Sequence, residues 1–138
     1  MTYSGLLSLI YAQVGREDPR VQSALQWASA NWSLAENPGV GDAGLFFFYN
    51  VMSRALAAYG QEALPRPDGQ SVAWRRELTD AIVARQKPGA APDQGYWVNE
   101  KSSRFWEGDP VLVTAYAILA LQSAAASAGA PASAPAPR

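Results

Sequence analysis

Three stretches of this chain are apolar on nearly every face and almost free of charge, and two amphipathic, charged stretches separate them. The apolar stretches run from about Thr2 to Gln13, Ala43 to Tyr59 and Pro110 to Ala124. The first and last carry no charge, and the middle one carries only Arg54. A helix that is apolar all round is buried all round. The separating stretches, about Pro19 to Trp32 and Ser71 to Gln86, read as surface helices. One sets Val21, Leu25, Ala28 and Trp32 on a single face; the other sets Trp74, Leu78, Ala81, Ile82 and Arg85 against Arg75, Arg76, Glu77 and Asp80.

Punctuation supports these bounds. Asp18-Pro19 and Asp109-Pro110 join an N-cap to a proline in the first helical position. Ser71 and Asp42 are the corresponding cap candidates for the fourth and third helices. Gly15 and Gly60 stop the first and third, and the remaining prolines fall in connections. No strand is expected: Val40 is isolated and Trp97–Val98 is too short. The predicted fold is all-α. Its order of buried and surface helices suggests two layers of stacked helix pairs, as a solenoid or closed into an α/α barrel. Thr2, Leu7 and Leu9 repeat as Thr114, Leu119 and Leu121 at constant offset, both within buried helices.

Residues 123–138 are Ala, Pro, Ser and Gly up to the final Arg138, so a disordered tail is expected there and a folded part over 1–122. Neither a signal peptide nor a spanning segment is expected. The N-terminus lacks a basic start, and the longest apolar run, Val111 to Leu121, is too short. The chain reads as soluble, with no compartment specified.

Composition narrows the chemistry. Among 138 residues there is no Cys and no His, and the net charge is -1. That excludes a disulfide framework, a thiol nucleophile, the usual zinc ligands and the Ser-His and Cys-His pairs. So balanced a charge does not make a nucleic-acid binder. No metal and no cofactor are expected. Carboxylates remain. Glu36, Asp42, Glu107 and Asp109 lie nearest the starts of buried helices, with Arg104 a possible partner for Glu107. Arg54 reads as snorkelling to the surface, and Arg76 and Asp80 as an i,i+4 pair.

After the fourth helix the chain reads AIVARQKPGAAPDQGYWVNEKSSRFWEGDPVLVTAYAILALQ. Gln86, Gly95 and Trp97, followed by a helix with Thr114-Ala-Tyr-Ala, resemble the QW motif of the squalene/hopene cyclase and prenyltransferase repeat family. KPGAAPDQ makes the gap between Gln86 and Gly95 longer than that family's usual few residues. The resemblance extends over about 1–122, through Asn31-Trp32, Leu34-x-Glu36-Asn37-Pro38-Gly39, Gly44-Leu45 and Trp106-Glu107-Gly108-Asp109-Pro110.

The resemblance implies a partial α/α toroid of about five helices, two and a half helix pairs. The Gln would cap a neighbouring inner helix and the Trp would stack on the Gln. It also implies a central pocket, with Phe46, Phe47, Phe48, Tyr49, Trp106 and Tyr116 as candidate lining for an isoprenoid or triterpenoid-like ligand; aromatic faces stabilise cations. The same residues serve equally as packing between helices. Asp42 and Glu107 are the candidate acidic rim. The family's cyclases protonate substrate with Asp-x-Asp-Asp, and its transferases hold zinc through Asp, Cys and His; this sequence has neither. The expectation is therefore a segment of such a repeat protein, non-catalytic alone, which contributes a pocket wall or awaits further repeats or a second copy of itself. The alternative is a helical-repeat interaction scaffold. The third reading is a glycan-active α/α-barrel enzyme working through a carboxylate pair.

Overall fold

The computed structural model describes residues 1–126. It is mostly helical: α1 (Thr2–Tyr11), α2 (Pro19–Ala30), α3 (Leu45–Tyr59), α4 (Trp74–Val83) and α5 (Pro110–Ala125). Two short hairpins interrupt the helices, β1 (Leu64–Pro65) with β2 (Ser71–Val72) and β3 (Lys87–Pro88) with β4 (Gly95–Tyr96). A 3-10 turn, Arg104–Trp106, precedes α5.

The helix starts divide into local and distant closures. Asp18 accepts from Arg20 N at 2.9 Å, and Asp109 accepts from Val111 N at 2.8 Å, each with proline in the first helical position. Both satisfy donors that have no partner inside the helix. The start of α3 differs from the expected Asp42 cap. Its cap residue is Gly44, in the left-handed region at φ 69°, where a Cβ would be strained. The start of α4 differs too. Ser71 is not a cap; it pairs in the first hairpin opposite Pro65, and the helix begins three residues later at Trp74.

The hairpins correct the expectation of no strands. Pro67-Asp68-Gly69 makes the first turn, with Gly69 at φ 82°, Gly69 N donating to Arg66 O at 3.0 Å, and Asp68 Oδ1 accepting from Gln70 N at 3.0 Å. Each strand has two residues, too few for alternation to register in sequence. The first hairpin is anchored by burial of Leu64 and Val72, and the Ser29 hydroxyl of α2 donates to the Pro65 carbonyl. The expected boundary at 122 falls inside α5, which continues to Ala125 with Ala124 buried. The rest of the expected tail, 127–138, lies outside the described residues.

In the packing, α3 lies between α1 and α5, with α2 against α1 and α4 against α5. Phe46, Tyr49, Met52 and Leu56 of α3 form the centre of the core, with Leu6, Val21, Trp74, Leu78, Ile82 and Val113 around them. Arginines from neighbouring elements satisfy helix C-termini. Arg75 Nη1 donates to Ser123 O and Ala124 O at 3.0 and 3.1 Å, and Arg16 Nη2 donates to Tyr59 O at 2.6 Å. Arg54 is exposed, as expected of a snorkelling side chain, and reaches the Tyr11 hydroxyl at 3.4 Å.

The expectation that all three apolar helices are buried all round holds for α3 far better than for α5. α5 buries a stripe of Val113, Ala117, Ala120 and Ala124, whose small side chains let it approach its neighbours closely. Its opposite face leaves Val111 77%, Ile118 44% and Leu119 45% exposed.

Candidate functional site

An apolar cavity of about 360 Å³ opens beside the start of α3. α1 contributes Tyr3, α3 contributes Phe47, Phe48 and Val51, α5 contributes Tyr116, and the 3-10 turn contributes Phe105. The rings meet edge to face. Phe47 and Tyr116 have centroids 5.7 Å apart, and Tyr3 and Phe48 5.6 Å. This geometry directs positive ring edges at negative faces and leaves other faces free. Burial pushes the Tyr3 phenol well above its ordinary range, so the residue enters the site neutral.

The 3-10 turn holds two of the three non-glycine residues with positive φ among the described residues. Phe105 and Trp106 sit at φ 60° and 65°, a region that bulky residues rarely occupy. The strain is held from both ends. The Phe105 ring rests on Gly44, where a Cβ would lie 3.2 Å from Phe105 Cδ2. On the other side Glu107 is fully buried. Its Oε1 accepts from Phe47 N at 2.8 Å, closing the open N-terminus of α3, and its Oε2 accepts from Asn99 Nδ2 at 2.7 Å. Asn99 returns a second pair of contacts, N to Glu107 O at 2.9 Å and Nδ2 to Asp42 O at 2.7 Å. A buried carboxylate is tolerable here because donors and the positive end of the helix dipole surround it. Its field also reaches Tyr49. Burial, opposed by Arg85 and reinforced by Glu107, pushes the Tyr49 phenol up to about 12.

The candidate lining residues separate. Phe47, Phe48 and Tyr116 line the cavity, while Phe46, Tyr49 and Trp106 do not. Phe46 is buried edge-on to Tyr49, with ring centroids 5.7 Å apart, and Tyr49 is consumed by a 2.5 Å hydrogen bond to Leu34 O. Trp106 is 80% exposed outside it. Phe105 and Tyr3 went unnamed in the sequence. One lies in a loop where periodicity is silent, and the other in a helix whose partners sequence cannot assign.

Neither acidic candidate forms a rim to the aromatic cavity. Glu107 is enclosed rather than exposed, and it does not pair with Arg104, whose guanidinium lies over the Phe105 ring at 5.0 Å. Asp42 pairs with Lys101 at 3.3 Å beside a separate, polar hollow of about 230 Å³, which Phe46 and Arg85 also border. Among the described residues no group of His, Cys, Asp or Glu is placed to hold a metal ion.

Gln86, Gly95 and Trp97 come together at the second hairpin. Gln86 lies beyond the end of α4, and its side chain packs on the Gly95 backbone, where a Cβ would be 2.8 Å from Gln86 Cδ. Only glycine allows that approach. Trp97 is buried; its indole donates to Ile82 O at 2.8 Å, and its backbone N donates to Thr114 Oγ1 at 3.0 Å, tying α4 to α5. The start of α5 is closed by Asp109, as the Asp109-Pro110 pair predicts.

No protein-family model, no curated protein and no solved structure matches the chain. No helix among the described residues is long and apolar enough to cross a membrane.

Proposed function

We propose that this chain is a segment of an α/α repeat protein of the squalene-cyclase and prenyltransferase type. Its part is to hold an isoprenoid-type hydrocarbon against the aromatic wall formed by Tyr3, Phe47, Phe48, Phe105 and Tyr116. The cavity carries the proposal: it is apolar, ring-lined and large enough for several isoprene units. Two further observations support it. α3 packs between α1 and α5, with α2 against α1 and α4 against α5, contacts that stacked helix pairs would also make. Gln86 packs on Gly95, and Trp97 bonds to both α4 and α5.

The role is binding rather than catalysis by this segment. Both oxygens of Glu107, which closes the start of α3 beside the cavity, are committed to hydrogen bonds. The same commitment, with Asp42 held by Lys101, weighs against the carboxylate pair of a glycan-active enzyme. Terpenoid cyclisation belongs to the proposal only as the activity of a larger assembly.

Thermal unfolding with farnesol or squalene tests this. A ligand that binds only the folded chain raises Tm as its concentration passes Kd. The wild type should show that rise, and Phe47→Asp, at a position 44% exposed, should fold and lose it. A wild type indifferent to both lipids overturns the proposal.

A further inference from the structure

The aromatic cavity has polar groups in its wall, and their side chains are neutral. Among the described residues no Lys, Arg, Asp or Glu side chain lines it, and Arg104 stacks on Phe105 without joining the lining. Two polar side chains of the wall are Tyr3 and Asn37. Tyr3 is 4% exposed and meets Trp27 and Phe48 edge to face. Its hydroxyl has no hydrogen-bond partner among the described residues, and burial alone displaces its ionisation. The oxygen is not sealed in. The side-chain atoms both enclosed and unpartnered among the described residues are Asn50 Oδ1 and Arg75 Nε. The unpartnered Tyr3 oxygen therefore touches open space, and the cavity is the space that Tyr3 lines. A buried residue with an unmet donor carries a cost that a ligand oxygen can recover.

Asn37 supplies the complementary group. Its backbone N donates to Gly41 O at 2.8 Å, and its Nδ2 donates to Ala43 O at 3.1 Å. A carbonyl oxygen faces only the NH2 end of an amide, so the second bond fixes Oδ1 as the end left to accept.

Resting on the reading of this cavity as an isoprenoid site, we propose that its ligand is a neutral isoprenoid alcohol, bound at its hydroxyl by the Tyr3 phenol. An alcohol oxygen accepts from Tyr3, and its proton suits a wall that also offers the Asn37 acceptor. A hydrocarbon leaves the buried donor unmet. A diphosphate brings its charge to a wall without a side-chain cation, where nothing offsets its desolvation. A site that hydrogen-bonds a hydroxyl rejects the analogue lacking it, because the site's own polar group is then stranded.

Binding constants taken from the concentration dependence of Tm test this with farnesol, farnesene and farnesyl diphosphate. One hydrogen bond is worth about tenfold in affinity, and farnesol should exceed each of the others by at least that factor. Tyr3→Phe removes the oxygen and keeps the ring. It should abolish the preference for farnesol, leave farnesene binding unchanged, and leave the ligand-free Tm unchanged or higher. Equal binding of farnesol and farnesene, a preference that survives Tyr3→Phe, or tighter binding of the diphosphate overturns the proposal and leaves an isoprenoid site standing. So does a ligand-free Tm lowered by Tyr3→Phe, which would give the hydroxyl a partner within the chain. No response to any of the three compounds overturns the proposal together with the reading on which it rests.

Discussion

α3 and α5 are both apolar helices with the same task at their N-termini, and they accomplish it by opposite means. α5 closes its first turn with a residue from its own chain direction, Asp109, followed by Pro110. α3 begins at a left-handed glycine that has no side chain to offer, and its Phe47 N–H is met by Glu107, sixty residues away in sequence. The local cap is exposed and stabilises one helix. The distant cap is buried, and through Asn99 it also fixes the strained turn that places Phe105 on the cavity. A cap donated from elsewhere in the chain makes secondary structure and site geometry depend on one side chain.

Breaking the distant cap should have the largest effect. Glu107→Ala leaves the Phe47 N–H and one of the two Asn99 side-chain N–H groups without an acceptor, the other still donating to Asp42 O, at about 1–3 kcal/mol for each group. A loss near 3 kcal/mol in guanidinium unfolding is expected, together with loss of any lipid-induced rise in Tm. Glu107→Gln keeps one acceptor and should lose roughly half as much. Equal, small effects from both variants would show that Glu107 is only a space-filling residue.

Breaking the local cap should cost less. Asp109→Ala removes one acceptor from an exposed helix start, worth about 1 kcal/mol. The cavity should keep its lipid response, because Glu107 and Phe105 are untouched. A loss as large as that of Glu107→Ala would erase the distinction between the two closures.

The smallest effect belongs to the other local cap. Arg20, by hydrogen bonds and charge, holds the Asp18 carboxyl at about 2, below its ordinary 3.8. A depressed folded value means that the stabilisation is present above pH 3.8 and lost as the pH falls toward 2. Because the pair is exposed, salt should weaken it. NMR titration should find the low value, and Asp18→Asn should flatten the stability change in that pH window.

Much of this contrast is visible in the residues themselves. Asp18-Pro19 and Asp109-Pro110 announce their helices because cap and helix are adjacent in sequence. The apolar run of α3 announces a helix with little solvent contact; that of α5 announces a helix, but one face of it stays exposed. A turn signal for the first hairpin lies in Pro67-Asp68-Gly69, but two-residue strands leave no alternation beside it to mark strands. For the cavity, Phe47 and Tyr116 were legible as aromatics on apolar helices. Phe46 and Tyr49 were indistinguishable from them, since neighbours on one helix differ only in which partner they face.

The sequence alone determined the mostly helical character, the starts of α2 and α5, and the exclusion of thiol and imidazole chemistry. Each depends on residue type or on groups within one helical turn. Only the tertiary structure decided that Glu107 is a cap rather than a rim acid, that Phe105 completes the aromatic wall, and that α5 buries Ala117, Ala120 and Ala124 while exposing Val111 and Ile118. Those outcomes depend on which surfaces meet across long separations in the chain, and there the relative packing of helices, not local propensity, sets the free energy.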